Sequence, residues 1–111
     1  MRSWTRSVRG DLYRLRLAKD ATGHEQRGPQ YAVAIQSDQI LLSTLIIAPT
    51  STSAQPAIFR PEIEMDGART RVLVDQMRAV DATRLGDFAG RLDAMETGEI
   101  DRAVRLILGV L

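Results

Sequence analysis

Three short segments of this 111-residue chain carry side chains that could bind a phosphate or move a proton. The first is residues 23–31, where an acid, amides, an arginine and a tyrosine precede an apolar stretch. Arg27 could donate charge-assisted hydrogen bonds to phosphate, and Tyr31 could stack a planar base. Glu25 could accept a proton, and Gln26 could donate or accept hydrogen bonds. The same composition is also typical of a solvated surface loop.

The second segment is rich in hydroxyl groups and follows an apolar run. Ser51 and Thr52 stand after Pro49, where their hydroxyls could donate to a phosphate or to a developing oxyanion. Serine and threonine are also common in loops because they cap and turn the backbone. Both interpretations remain open at this point.

The third segment is residues 74–79, in which Gln76 and Arg78 are two positions apart. If the segment is the end of a strand, the two side chains share a face. They could then contact a base edge or a phosphate. A surface arginine in an ion pair is the alternative.

Several classes of chemistry are excluded by composition. The chain has no cysteine, so it has no disulfide, thiolate nucleophile or cysteine-ligated metal. His24 is the one histidine and no nucleophile-elbow motif is present, which argues against a serine-hydrolase triad. No acidic cluster resembles a calcium loop. We therefore expect chemistry without a metal or cofactor.

Hydropathy and charge indicate where the protein is located and what it could bind. Neither a membrane span nor a signal peptide is predicted, so a cytoplasmic location is expected. The net charge is +1, but residues 1–31 carry seven basic and three acidic side chains. Fourteen of the fifteen basic residues are arginine, which suits phosphate binding but also follows from a GC-rich genome.

The first half of the chain predicts three strands. Residues 11–17 alternate between apolar and polar, with Tyr13 and Leu15 on one face. Residues 31–35 and 41–48 are short, apolar and β-branched, as buried strands are. Residues 36–39 are predicted to form the turn between them, and residues 19–30 are predicted to form a long loop. Residues 1–8 are predicted to be a leader.

The second half predicts a hairpin followed by helical structure. Residues 59–66 alternate, and Pro61 should keep that strand at a sheet edge. Asp66 and Gly67 predict a hairpin turn, with residues 70–75 as the returning strand. A helical turn is predicted near Asp81.

The C-terminal residues follow helical spacing, and Asp93 with Glu96 could cap the start of that helix. A chain of this length forms one domain, residues 1–111. The elements together predict a small, strongly curved antiparallel sheet or barrel with helices packed on it.

Five motifs together resemble the MazF/PemK toxins of prokaryotic toxin–antitoxin modules. The similarity is collinear over roughly residues 9–111. The motifs are Arg9-Gly-Asp-Leu-Tyr13, Gly23-His-Glu-Gln26, Ala48-Pro-Thr-Ser51, Val74-Asp-Gln-Met-Arg78 followed by Asp81, and an ending with Leu85-Gly, Gly90-Arg-Leu and residues 100–109. Each motif is weak alone, and their common order makes the case.

The resemblance implies an α+β, mainly β fold: an SH3-like antiparallel β-barrel with appended helices, one of them C-terminal. It implies a homodimer that binds single-stranded RNA across its interface, and a cognate MazE-like antitoxin that silences it. It also implies metal-independent cleavage that leaves 2′,3′-cyclic phosphate and 5′-hydroxyl ends. The resemblance implies that neither a cofactor nor a membrane is involved.

The resemblance also assigns site residues, with one departure. The family places an arginine before a proline at the start of the second strand, but here Gln30 is followed by Tyr31. A neutral amide cannot stabilise a phosphorane by charge, so Arg27 is the expected replacement and Arg78 the second candidate. Ser51 matches the family's hydroxyl position, with Thr52 beside it.

Two other functions remain open. The first is a catalytically weakened MazF-like toxin, or a CcdB-like toxin, that binds RNA or a protein without cleaving RNA. The second is an unrelated small barrel for protein interaction, which would leave the collinear motifs as coincidence.

Overall fold

The computed structural model describes residues 8–16 and 30–110. In this part of the chain, seven antiparallel strands form one curled sheet, and a helix follows the last strand. The strands are β1 (Asp11–Leu15), β2 (Tyr31–Ala34), β3 (Thr44–Ser51), β4 (Glu62–Met65), β5 (Ala68–Val72), β6 (Arg78–Asp81) and β7 (Leu85–Arg91). Two 3₁₀ turns, Val74–Gln76 and Ala82–Arg84, flank β6, and the helix is α1 (Ala94–Leu108). The mainly β fold with a C-terminal helix is thus confirmed.

The longest strand, β3, organises the sheet. The strand order is β4-β5-β3-β2-β1-β7, and β6 also pairs with β3. Residues 44–47 pair with β6, Ile47 to Pro49 pair with β2, and Thr50 and Ser51 pair with β5. Because β3 changes partner along its length, its two ends belong to different parts of the curled sheet.

Two hydrophobic clusters lie on opposite faces of the central strands. Val33 and Ala48 belong to the cluster that includes Ile100 and Ala103 of α1. Their neighbours Ala32 and Ile47 belong to the second cluster, with buried side chains of β1, β6 and β7. Strands buried on both faces have nearly continuous apolar sequences, which explains the composition of β2 and β3.

The helix begins and ends as the sequence predicts. Asp93 accepts a hydrogen bond from the Glu96 backbone N–H at 2.7 Å, and the Glu96 side chain accepts one from the Asp93 N–H at 3.0 Å. These bonds form the predicted capping box. Gly109 ends α1 in the left-handed conformation, with φ of 69°.

The β4–β5 hairpin is also confirmed. Asp66 and Gly67 have φ of 51° and 79°, the two positive values of a type I′ turn. The predicted strand over residues 59–66 is shorter in the structure, because β4 is Glu62–Met65 and Pro61 precedes it. The strand lies at the edge of the sheet as expected. The predicted helical turn near Asp81 is the Ala82–Arg84 turn, capped by the Asp81 side chain.

The predicted limits of β3 are wrong by three residues. The apolar run predicts a strand over 41–48, but β3 is Thr44–Ser51, and Leu41 and Leu42 are exposed. Strand limits follow the backbone pairing, which β5 extends to Ser51. Ser51 is therefore the last residue of a strand, whereas the sequence predicts a loop there.

The predicted returning strand over 70–75 is also wrong in its limits. Strand β5 ends at Val72, and the Gln76 and Met77 backbone N–H groups donate to Leu73 and Val74 in a 3₁₀ turn. Gln76 therefore lies in the 3₁₀ turn and Arg78 lies in β6. The two side chains do not share one face of a strand, so this prediction is wrong. Strands β6 and β7 are not predicted by the sequence patterns.

Candidate functional site

A cavity of about 460 Å³ opens where β3 ends. Residues from β2, β3 and the β4–β5 hairpin line it: Gln30, Tyr31, Thr50, Ser51, Thr52, Ser53, Met65, Asp66, Ala68 and Thr70. We call it the β3-end cavity. It brings together Gln30 and Tyr31 from the first predicted segment with Ser51 and Thr52 from the second.

The register of the sheet sets the relative positions of these residues. Ala32 pairs with Pro49, and continuing that antiparallel register by two residues places Gln30 beside Ser51. The Leu15 N–H donates to the Gln30 carbonyl at 2.7 Å, which extends the β1–β2 pairing to this residue. On the other side of β3, Ser51 pairs with Arg71 of β5. Gln30, Ser51 and Arg71 thus form a row across three strands.

The hydroxyl groups around the cavity differ in their bonding. Thr50 is buried, and its Oγ1 donates to the Tyr31 carbonyl at 3.0 Å, so this hydroxyl joins β3 to β2. Ser51 Oγ accepts from the Ser53 backbone N–H at 3.1 Å, which leaves its proton available to donate. Thr52 is exposed at the cavity. Ser51 and Thr52 can therefore donate to a bound anion.

An ion pair fastens the loop that follows these hydroxyls. Arg60 Nε donates to Asp75 Oδ1 at 3.0 Å, and Arg60 Nη2 lies 2.9 Å from Asp75 Oδ2. Arg60 Nη1 also donates to the Gln55 carbonyl at 3.1 Å. The hydrogen bond from Arg60 holds the pKa of Asp75 below its ordinary value, and the same bond raises the pKa of Arg60. Asp75 therefore has a structural partner.

Arg71 is a residue that the sequence patterns do not single out, although it pairs with Ser51. Its Nη1 donates to the Arg60 carbonyl at 3.0 Å, and its Nη2 lies 3.3 Å from Glu62 Oε1. The guanidinium is thus bonded to β4 and to the residues before it. Only the register of β5 against β3 identifies Arg71 as a neighbour of the predicted hydroxyl.

Two further predicted site residues within the described part of the chain lie away from the cavity. Gln76 and Arg78 do not line the β3-end cavity; Arg78 is exposed and pairs with Ile47, four residues before Ser51. Glu25, Gln26 and Arg27 lie outside the described residues. The structure therefore joins two of the three predicted segments, through Gln30, Tyr31, Ser51 and Thr52.

The Arg-Gly-Asp segment that opens the first strand is structural. Asp11 is 2% exposed and accepts from the Val8 N–H at 2.9 Å and from Arg91 Nε at 2.6 Å. The bond to Asp11 raises the pKa of Arg91. Arg9 pairs with Asp101 of α1 and donates to the Ile35 carbonyl at 2.7 Å. The segment therefore joins β1 to β7 and to the helix.

Neither a metal-binding cluster nor a membrane-spanning helix is present in the described residues. Within 8–16 and 30–110, no three acidic or histidine side chains are grouped so that they could hold a metal ion. In the same part of the chain, no helix has the length and apolar character needed to cross a membrane.

A curled antiparallel sheet with a C-terminal helix and a hydroxyl-bearing cavity at the end of its central strand defines a class of small, mainly β proteins. Residues 8–108 match the family model of the PemK-like, MazF-like toxins of type II toxin–antitoxin systems. The chain therefore belongs to this family, as the five motifs indicate.

Individual relatives agree with this assignment. A candidate toxin of Mycobacterium tuberculosis (strain ATCC 25618 / H37Rv) is 43% identical over 93% of this chain and 98% of its own length. The endoribonuclease EndoA of Bacillus subtilis is 29% identical over 93% of this chain and 95% of its own length. The MazF fold in a MazE–MazF crystal structure from Deinococcus radiodurans superposes with a TM-score of 0.77, at 22% identity, covering 96% of this chain and 98% of that one.

Proposed function

We propose that this toxin is an endoribonuclease that cleaves single-stranded RNA at specific sequences without a metal ion, leaving 2′,3′-cyclic phosphate and 5′-hydroxyl ends. The observation that carries the proposal is the β3-end cavity, where Ser51 and Thr52 lie with Gln30 and Tyr31. The relation to EndoA, which is named as an endoribonuclease, supports it.

The proposed reaction begins when the 2′-oxygen of the RNA attacks the adjacent phosphorus. The P–O5′ bond then breaks, the 2′-proton passes to a base, and the 5′-oxygen takes up a proton. Charge builds on the phosphorane oxygens, and the Ser51 and Thr52 hydroxyls would donate to them. The Gln30 amide would donate from the neighbouring strand, and Tyr31 offers a ring on which a base can stack.

The proposed site needs a cation as well as hydroxyl donors. Within the described residues, the lining of the β3-end cavity includes no arginine or lysine. We assign the cationic role to Arg27, which is three residues from Gln30 in the sequence, with Arg78 as the second candidate. Glu25 and Gln26, which precede Arg27 in the sequence, would contact bases, and Gln76 would contact the RNA independently from the turn before β6.

The partners form part of the same proposal. We propose a homodimer with the RNA at its interface and a MazE-like antitoxin that covers the site, in the cytoplasm, where the RNA substrate is found. Exposed apolar side chains near the end of α1, Leu106, Leu108 and Val110, are available for such contacts. The related Deinococcus structure is a MazE–MazF pair, which supports an antitoxin partner.

A second function is favoured by one observation, the neutral Gln30 where the family has an arginine. Without charge at the phosphorane, a protein of this fold would bind RNA or a protein target as a weakened MazF-like or CcdB-like toxin. Measuring cleavage and binding on the same RNA distinguishes this function from the proposed one.

To test the proposal, the purified protein is incubated with long single-stranded RNA in excess chelator. The cut sites and the chemical groups at the new ends are then mapped. We expect cuts with 5′-hydroxyl ends, slowed roughly 100-fold by Ser51→Ala and by Arg27→Ala, the usual effect of losing one oxyanion donor. Arg78→Ala tests the second cationic candidate. Ser37→Ala and Arg102→Ala are matched controls on exposed residues away from the cavity and should cleave as the unaltered protein does.

The outcomes are distinct. RNA that stays intact at high protein excess but still binds would support the binding function. Cleavage that needs a divalent cation would contradict the proposed metal-independent reaction.

A further inference from the structure

The wall of the β3-end cavity formed by the β4–β5 hairpin carries a carboxylate with no assigned role. Met65 and Asp66 of the hairpin line the cavity together with Tyr31 and the hydroxyls of Ser51 and Thr52. Asp66 lies in the tight turn, with φ of 51°, and its side chain is exposed. The turn therefore holds an acidic group at the rim of a site that would bind a polyanion.

Asp66 differs from the described aspartates that have an internal hydrogen-bond partner. Asp11, Asp75, Asp81, Asp93 and Asp101 each accept a hydrogen bond that joins elements or caps a turn or helix. Asp66 has no hydrogen bond or ion pair with the residues that the structure describes. Its carboxylate is thus available to a ligand, and the hairpin does not need it for an internal contact.

A carboxylate in an RNA site discriminates among chemical groups. It repels phosphate, and it accepts hydrogen bonds from donors on base edges. Guanine presents N1–H and the N2 amino group side by side, which matches the two oxygens of one carboxylate. Cytosine and adenine offer one amino donor beside an acceptor nitrogen, and uracil offers one N–H between two carbonyls. Guanine is therefore the base that best fits a free carboxylate.

The geometry of the cavity is consistent with a single bound base. Tyr31 on β2 and Met65 on β4 supply apolar surface, and Asp66 lies at the end of the same wall as Met65. A base stacked on this surface would direct its edge to the hairpin turn while its phosphate faced the hydroxyl side. We propose that Asp66 is a specificity-determining residue that selects guanine beside the scissile phosphate, an inference that rests on the proposed ribonuclease function.

The substitution that tests this is Asp66→Asn. Asparagine adopts positive φ readily, so the turn is retained, but one acceptor oxygen becomes a donor and the charge is lost. A good bidentate contact discriminates between bases by a factor of about 10 or more. We therefore expect Asp66→Asn to lower the preference for guanine at one position by roughly that factor.

The experiment compares synthetic RNAs in which each guanine around a mapped cut site is replaced singly by inosine, which lacks the N2 amino group. The ratio of cleavage rates for guanine and inosine is measured for the unaltered protein, for Asp66→Asn and for Asp38→Asn. Asp38 is an exposed aspartate of the loop at the other end of β3, so this control makes the same change of charge away from the cavity.

Support requires one position where the unaltered protein and Asp38→Asn prefer guanine and Asp66→Asn does not. If the unaltered protein cleaves RNA but shows no such position, or if Asp66→Asn retains the preference, the role of Asp66 is overturned and the ribonuclease function stands. If the unaltered protein cleaves no RNA at all, both proposals are overturned.

Discussion

The two ends of strand β3 differ in chemical character, because the cavity at its start is mostly apolar and the cavity at its end carries more polar groups. At its start, a cavity of about 280 Å³ is lined largely by apolar residues, among them the exposed Ile40, Leu41 and Leu42. At its end, the β3-end cavity combines hydroxyls, an amide and a carboxylate with the apolar surface of Tyr31 and Met65. Covering an apolar surface with another apolar surface lowers the free energy, because both are removed from water. Hydroxyl donors can instead bind an anion from solution. One strand thus connects an exposed apolar surface to a candidate reaction site.

The packed middle of β3 fixes the positions of its two ends relative to each other. Ile47 and Ala48 are fully buried, each in a different hydrophobic cluster, so both faces of β3 are packed at this point. Close packing on both faces restricts movement of the strand. The comparison therefore predicts that changes in the middle affect both ends, and that changes at one end stay local.

The largest expected effect comes from Ile47→Ala. Removing a fully buried isoleucine side chain should lower the free energy of unfolding by about 2–5 kcal/mol and weaken both ends. The matched control is Ile46→Ala, because Ile46 is 39% exposed and should lose under about 1 kcal/mol. Urea denaturation followed by circular dichroism measures both. Equal losses of unfolding free energy in the two variants would contradict the inference that packing in the middle of β3 stabilises the strand.

A smaller effect is the pH dependence of stability, which compares the aspartate hydrogen bonds near the two ends of β3. Asp75 anchors the loop beyond Ser51 through Arg60, and Asp81 pairs with Thr44 and caps the Ala82–Arg84 turn. Hydrogen bonds from Arg60 and from Thr83, respectively, lower the two pKa values. A lowered folded pKa gives stability that is complete above the unfolded value, about 3.9, and is lost as pH falls through the folded value.

We therefore expect the urea midpoint of the protein to fall between pH 7 and pH 3. The fall should be smaller in Asp75→Asn and in Asp81→Asn, because each variant lacks one of the titrating groups. If Asp75→Asn showed the same pH dependence as the unaltered protein, the Arg60–Asp75 pair would not fasten the loop in solution.

The smallest effect is expected at the apolar end. Leu42 is 60% exposed, so Leu42→Ala should change the free energy of unfolding by less than about 0.5 kcal/mol. Leu45→Ala is the comparison, since Leu45 is 9% exposed and belongs to a buried cluster. A large loss for Leu42→Ala that depended on protein concentration would show that another subunit covers this end.

Local signals in the sequence predicted some elements well. The hairpin turn at Asp66 and Gly67 and the capping box of Asp93 and Glu96 depend on residues within four positions of each other. The edge position of the strand after Pro61 follows from the missing N–H of proline. Strands β6 and β7 had no comparable local signal, because their pairing depends on β3 and β1, which are distant in the chain.

The candidate site divides in the same way. The sequence by itself determined the family, the mainly β fold and the hydroxyl and amide groups at Ser51, Thr52 and Gln30, because residue types and their order are local properties. Only the tertiary structure decided that Ser51 ends a strand with Gln30 on one side and Arg71 on the other, and that Asp66 lines the same cavity as the hydroxyls. These neighbours are set by strand register and by the curl of the sheet, which arise from backbone hydrogen bonds and core packing between distant parts of the chain.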